Sequence, residues 1–221
     1  MKSFGAIVFV SLSLFALNIL AHPGQIKPGS WKWDFETDSP GQPPSGFFFS
    51  KTGSGGMGKW TVSVQKDAPS GANVLAQLDA DPTSYRFPIA IPERISVRDF
   101  RLSVRCKPGS GKVDQACGLV FRYLDENNYY VTRANALEDN VRFYHVIAGK
   151  RSELASWSGQ VTSGSWHELN VNAKGDLFEI SWEGKKVIEA RDKTFTETGK
   201  IGLWTKADSV TYFDDLTVEA R

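Results

Sequence analysis

The chain is poor in the residues that usually announce chemistry. Its 221 residues include only three histidines, two cysteines and two methionines. No histidine or further cysteine stands at ligand spacing from Cys106 and Cys117, so a zinc-type site is excluded. Charge of one sign is equally scarce, with 26 basic against 25 acidic residues. A nucleic-acid binder needs a basic surplus somewhere, and none is visible. Beyond residue 21 no stretch is long and apolar enough to cross a bilayer, so no membrane span is expected in the mature protein. Helical periodicity is nearly absent too, and a turn of helix at Asn135–Asn140 is the most the pattern supports.

What is present begins with a leader. Met1-Lys2 precedes the apolar run from Ala6 to Ala16, and small Ala21 stands at a plausible cut before His22-Pro23-Gly24. This is the anatomy of a secretory signal peptide over 1–21, and it implies a secreted or periplasmic protein. Residues 22–29 then form a short extension and 30–221 a single domain. In an oxidising compartment Cys106 and Cys117 are expected to pair. His22, once N-terminal, could help chelate copper, but His145 and His167 are poor partners for it by position.

The rest of the chain is short runs of Val, Ile, Phe, Tyr, Trp and Thr separated by Gly, Pro, Asn and Asp. Such runs read as an all-β, two-sheet antiparallel sandwich. Side chains on one face of a strand recur every second residue. Phe100, Leu102, Val104 and Cys106 therefore share an apolar face, as do Cys117, Leu119, Phe121 and Tyr123. If the cysteines pair across a hairpin, Arg101 stands opposite Arg122. Continuing the parity puts Arg122, Arg133, Asn135, Asn140, Arg142 and Tyr144 on one surface, with Val141, Phe143 and Ile147 toward the core. Clustered arginines repel across a sheet, so they need carboxylates or a ligand beside them.

Other motifs carry less. Gly53–Lys59 has the spacing of a phosphate-binding loop but runs into Trp60 and a strand, so nucleotide binding is rejected. Glu138-Asp139 and Asp214-Asp215 are adjacent acids whose side chains point apart, which makes neither a natural glycosidase dyad. Asp34 in the first strand and Asp214 in the last are calcium candidates if those strands are neighbours. No other cofactor is called for. Trp204 followed by Lys206 and Asp208 suggests an exposed ring stacking on a sugar, with polar partners for its hydroxyls.

Gly118–Tyr123, Asn128–Asn135, Trp166-His167, Glu183–Lys185, Thr198–Trp204 and Val210–Leu216 together resemble the concanavalin A-like, laminin-G-like jelly roll. They are most similar to the secreted branch related to 3-keto-disaccharide hydrolase domains. The resemblance implies two antiparallel sheets and a face that meets glycans. The laminarinase-type Glu-x-Asp-x-x-Glu string is absent, and the Asn-Ser-Gly turn of the keto-sugar enzymes is replaced by Gln115-Ala-Cys-Gly118, so no catalytic residue carries over.

Three functions follow as expectations. One is a carbohydrate-binding module using Arg101, Arg122, Arg133, Asn135, Arg142, Tyr144, Trp204 and Lys206, with acidic sugars favoured by the arginines. The second is an enzyme on modified disaccharides, Glu138 being the nearest carboxylate. The third is a structural or adhesion domain whose arginines are paired internally.

Overall fold

A computed structural model of the chain describes Met1 and residues 29–221. The expected signal peptide beyond Met1, and His22, lie outside those residues. In chain order the strands are β1 (Ser30–Trp33), β2 (Phe47–Gly53), β3 (Trp60–Val64), β4 (Asn73–Gln77), β5 (Arg86–Pro92), β6 (Ser96–Val97), β7 (Phe100–Ser110) and β8 (Ala116–Asp125). They continue as β9 (Asn128–Asn135), β10 (Asn140–Ile147), β11 (Lys150–Ser158), β12 (His167–Lys174), β13 (Leu177–Trp182), β14 (Lys185–Arg191), β15 (Gly199–Trp204) and β16 (Val210–Ala220).

These strands make two antiparallel sheets. Sheet A has the order β14-β13-β12-β7-β16-β4-β3, with β1 on β16; sheet B has the order β11-β10-β9-β8-β15-β5-β2, with β6 on β15. The sheets bury their facing sides against each other. Phe100, Leu102 and Val104 of β7 share one core with Leu119 and Phe121 of β8, Tyr130 of β9 and Phe143 of β10. Each such side chain contributes about 2 kcal/mol when fully buried.

Consecutive β7 and β8 lie in different sheets, which corrects the expected hairpin. The Cys106–Cys117 disulfide spans the core from one sheet to the other, with its Cα atoms 6.2 Å apart. Arg101 therefore does not face Arg122. It sits on the exposed side of sheet A, between Asn172 of β12 and Glu219 of β16. The strand β5 forms although it carries Pro88 and Pro92, residues that cannot donate to a ladder. Pro88 lies just beyond the two-residue ladder, Leu203↔Ala90 and Trp204↔Ile89, that joins β5 to β15.

Sheet B curls over its own outer face. Its opposite corners meet there: the Thr52 hydroxyl contacts the Glu126 carbonyl at 2.5 Å and the Tyr129 hydroxyl at 2.6 Å. Tyr85, just before β5, donates to the Gly149 carbonyl at 2.8 Å and accepts from the Arg151 amide at 2.9 Å. A second apolar cluster fills the hollow, including Phe87, Ile89, Val120, Tyr129, Val131, Tyr144, Val146 and Trp204. The alternation on β8, β9 and β10 thus carries two buried faces rather than one buried and one wet.

Candidate functional site

The curled sheet stays polar at one end, where β8 begins, β9 ends and β10 begins. Arg133 and Arg142 are directly paired across β9 and β10, as the alternation requires. Two like charges held so close are stabilised by Glu138, from the tight turn between those strands. Its carboxylate lies 2.8 Å from Arg133 and 3.6 Å from Arg142. The turn is built for this: the Asn135 carbonyl oxygen of the side chain accepts from the Leu137 amide at 2.8 Å, and Asp139 takes a positive φ of 49°.

Around this pair the cluster is tightly knit. Arg133 also donates to the Asn140 amide oxygen, and to the Tyr144 hydroxyl at 3.1 Å. Arg142 reaches Glu153 on β11 at 3.2 Å. Asn135 donates to Asp114 at 2.9 Å, and Lys206 reaches the same carboxylate at 2.5 Å. Asp208 holds the wall behind, accepting from the amides of Lys112, Val113 and Asp114. Arg151 lies over the rings of Tyr144 at 4.4 Å and Phe87 at 4.7 Å.

Burial and charge set the protonation here. Burial opposes ionisation of Glu138, yet the Asn140 hydrogen bond and the Arg133 and Arg142 charges outweigh it and hold the carboxyl below its ordinary range. Burial pushes the Asp114 carboxyl up, against the pull of Lys206 and Arg133. Burial also lowers Arg151, with the Arg133 charge adding to the effect. One N–H of Arg151 and the Nε of Arg133 are buried with no hydrogen-bond partner among the described residues. A cluster of four cations and three carboxylates that opens to solvent at half-exposed Arg142 and Glu138 suits hydroxyl groups that both give and accept hydrogen bonds.

The structure brings together Arg133, Asn135, Glu138, Arg142, Tyr144 and Lys206, and sets three other expected residues apart: Arg101 on the outer side of sheet A, Arg122 and Trp204. Arg122 lies at a bulge between Phe121 and Asp125 and has φ 44°, which breaks the parity. It is fully buried, donating to the carbonyls of Phe195 at 2.7 Å, Gly175 at 2.6 Å and Arg98 at 3.2 Å. The Trp204 ring is also fully buried, beside Phe87, and offers no exposed stacking face. Ile147, expected in the core, is exposed at the end of β10, where it pairs with Lys150 of β11. Arg151 and Asp114 were missed, since neither falls in a strand pattern that marks it.

The calcium candidates turn to separate protein partners. Asp34 caps the Glu36 amide and lies 3.6 Å from Lys32, whereas buried Asp214 accepts from the Ser70 amide at 3.0 Å. No group of three or more His, Cys, Asp or Glu side chains arranged to hold a metal occurs among the described residues. No helix of the described residues is long and apolar enough to cross a membrane.

Comparison with known proteins places this architecture. No protein-family model matches the chain. A levanase of Bacillus subtilis (strain 168) is 30% identical over 124 residues, which is 55% of this chain; the match spans only 17% of the levanase. Among solved structures, the carbohydrate binding module CBM66 from Bacillus subtilis has a TM-score of 0.60 at 23% identity, covering 78% of this chain and 95% of that one. A Bacillus licheniformis beta-glucanase has a TM-score of 0.57 at 12% identity, covering 87% and 98%. With its two curved antiparallel sheets, the chain has the concanavalin A-like jelly-roll fold.

Proposed function

We propose that the chain is a carbohydrate-binding β-sandwich that acts outside the cytoplasm and grips a sugar at the Arg133–Glu138–Arg142 cluster. The observation that carries the reading is one carboxylate shared by two arginines at the half-open mouth of a hollow whose deeper part is filled. A sugar hydroxyl inserted there donates to Glu138 and accepts from Arg142. The similarity to part of a levanase and to a module named for carbohydrate binding supports the same class. The near balance of charge favours a neutral sugar, or one with a single acidic group, over a polyanion.

A hydrolytic role has less support. A general acid needs a carboxyl raised toward neutral pH and open to substrate. Glu138 is open but shifted the other way, and Asp114 is shifted up but sealed behind Lys206 and Asn135. Isothermal titration against levan, laminarin and uronate-bearing oligosaccharides tests the proposal. Saturable binding that Glu138→Ala abolishes is the expected result; no binding by the folded protein to any of them would overturn it.

A further inference from the structure

Asp114 and Asn135 are fully buried, so neither can touch a bound sugar, yet both are joined to a residue that can. The Asn135 side-chain oxygen accepts from the Leu137 amide at 2.8 Å and from the Glu138 amide at 3.3 Å. Its side-chain nitrogen donates at 2.9 Å to one carboxylate oxygen of Asp114. Lys206 donates to the other at 2.5 Å. A line of hydrogen bonds thus runs from Lys206 through Asp114 and Asn135 into the turn that carries Glu138.

Each link has one workable orientation. The turn offers two amide donors, so the oxygen of Asn135 must face it and the nitrogen must face away. An acceptor is then required behind Asn135, and Asp114 supplies it. Asp114 is in turn fixed by its backbone: its amide, with those of Lys112 and Val113, donates to the Asp208 carboxylate at 2.9, 2.6 and 3.0 Å. Gly111 lets the loop close this tightly, since a Cβ there would lie 1.8 Å from the Asp114 carbonyl oxygen. Next along the chain, the Gln115 carbonyl accepts from the Ala136 amide at 3.0 Å and ties the loop to the start of the turn. Burial opposes the Asp114 charge, and the Lys206 hydrogen bond and charge partly offset that.

We propose that Asp114 is a positioning residue: through Asn135 it holds the β9–β10 turn in the shape that sets the Glu138 carboxylate between Arg133 and Arg142. This deepens the proposed sugar site and rests on it. It also gives Lys206 a different part from the one its sequence position suggests, as the counter-charge of Asp114 rather than a sugar ligand. Glu138 needs such support because its side chain is 38% exposed and two guanidinium groups compete for it. A turn free to rock would let the carboxylate settle on either arginine alone. A sugar hydroxyl would then have to draw it back before binding, and affinity would fall by that cost.

The test compares Asp114→Leu and Asp114→Asn with wild type by calorimetric titration and by hydrogen exchange at the Leu137 and Glu138 amides. The probes are levantriose, laminaritriose and a uronate-bearing trisaccharide. Leucine is close in size but removes both acceptors, whereas asparagine keeps one for Asn135. Asp114→Leu is expected to bind about tenfold more weakly, worth about 1.4 kcal/mol. Its two turn amides should exchange about tenfold faster, and Asp114→Asn should recover most of both losses. Undiminished affinity in Asp114→Leu overturns the proposal. Equal losses in the two variants overturn it as well, because the charge and not the acceptor would then be what matters. If Asp114→Leu does not fold, the exchanged pair decides. In Asn135→Asp alone two carboxylates face each other; adding Asp114→Asn reverses donor and acceptor and should restore binding, and failure to do so overturns the proposal. A folded wild type that binds none of these sugars overturns the parent reading, and the amide exchange then still decides whether Asp114 orders the turn.

Discussion

Cys106 and Cys117 are bonded across the core, one on each sheet, and the eleven-residue separation between them encloses the loop that carries Asp114. The bond therefore ties the two layers together at the same end of the molecule as the polar cluster. Closing a loop this short restricts the unfolded chain by about 3 kcal/mol in the chain-entropy account. The double substitution Cys106→Ala, Cys117→Ala is expected to lower stability by about that amount and Tm by roughly 6–12 °C. Sugar affinity should fall too, because Asp114 loses its fixed wall. Calorimetric melting with and without reductant checks the first effect, and unchanged melting would exclude it.

Arg122 is a structural residue, and its removal should register in stability rather than binding. Its guanidinium donates to three backbone carbonyls, approaches Asp99 at 3.5 Å and lies 4.9 Å from the Phe178 ring. Arg122→Ala leaves those carbonyls without donors and opens a cavity. Each unpaired buried acceptor costs about 1–3 kcal/mol, so a total loss on the order of 3–5 kcal/mol is expected for a fully buried group. Urea unfolding measures it. A variant that melts like wild type yet loses sugar binding would return Arg122 to the ligand face.

The contrast between these arginines marks how far the sequence could be read. Alternation is a local property, so the pairing of Arg133 with Arg142 was legible across one turn. So was the two-sheet sandwich, because apolar runs of strand length recur throughout. Arg101 has the correct outward parity but belongs to the other sheet, and no local pattern tells a hairpin from a crossover between layers. Arg122 was lost to a bulge, which shifts parity by one residue without any composition cue. Trp204 and Tyr144 look solvent-facing by parity, yet sheet B curls over them. That curl depends on Tyr85 and Thr52 reaching distant turns, contacts that no short window contains. The buried strand β5 carries Pro88, and a proline is a poor signal of a strand.

Glu138 contributes to both binding and folding. Its own side chain is partly exposed, but the Arg133 guanidinium it neutralises is buried, so losing its charge costs more than a surface ion pair would, about 1–3 kcal/mol. Glu138→Gln keeps the size and one acceptor but leaves Arg133 and Arg142 facing each other without a neutralising charge. Affinity for the bound sugar is expected to fall about 10- to 100-fold, or roughly 1.4–2.8 kcal/mol, in a protein that still folds with Tm lowered by roughly 2–12 °C. Arg142→Ala should act in the same direction. Titration of both variants against the best ligand of wild type decides this, and undiminished affinity in both would place the sugar elsewhere.

Asp214 gives the fold a pH dependence of known sign. Burial, with the neighbouring Asp215 charge adding to it, raises its carboxyl to about 6, despite hydrogen bonds from the Ser70 and Asp215 amides. An unfolded aspartate titrates at about 3.9. The folded state therefore binds the proton more tightly than the unfolded state does. Stabilisation from this proton is complete below about pH 4 and disappears as pH rises through about 6. Asp214→Asn cannot titrate, so its stability relative to wild type should improve between pH 4.5 and pH 7.5. Urea unfolding of both proteins at those two pH values cancels the groups they share. The Ser70 contact stays partly satisfied in the variant, because the asparagine carbonyl still accepts one hydrogen bond. A stability difference that does not change with pH would mean that Asp214 is ionised in the fold at both values.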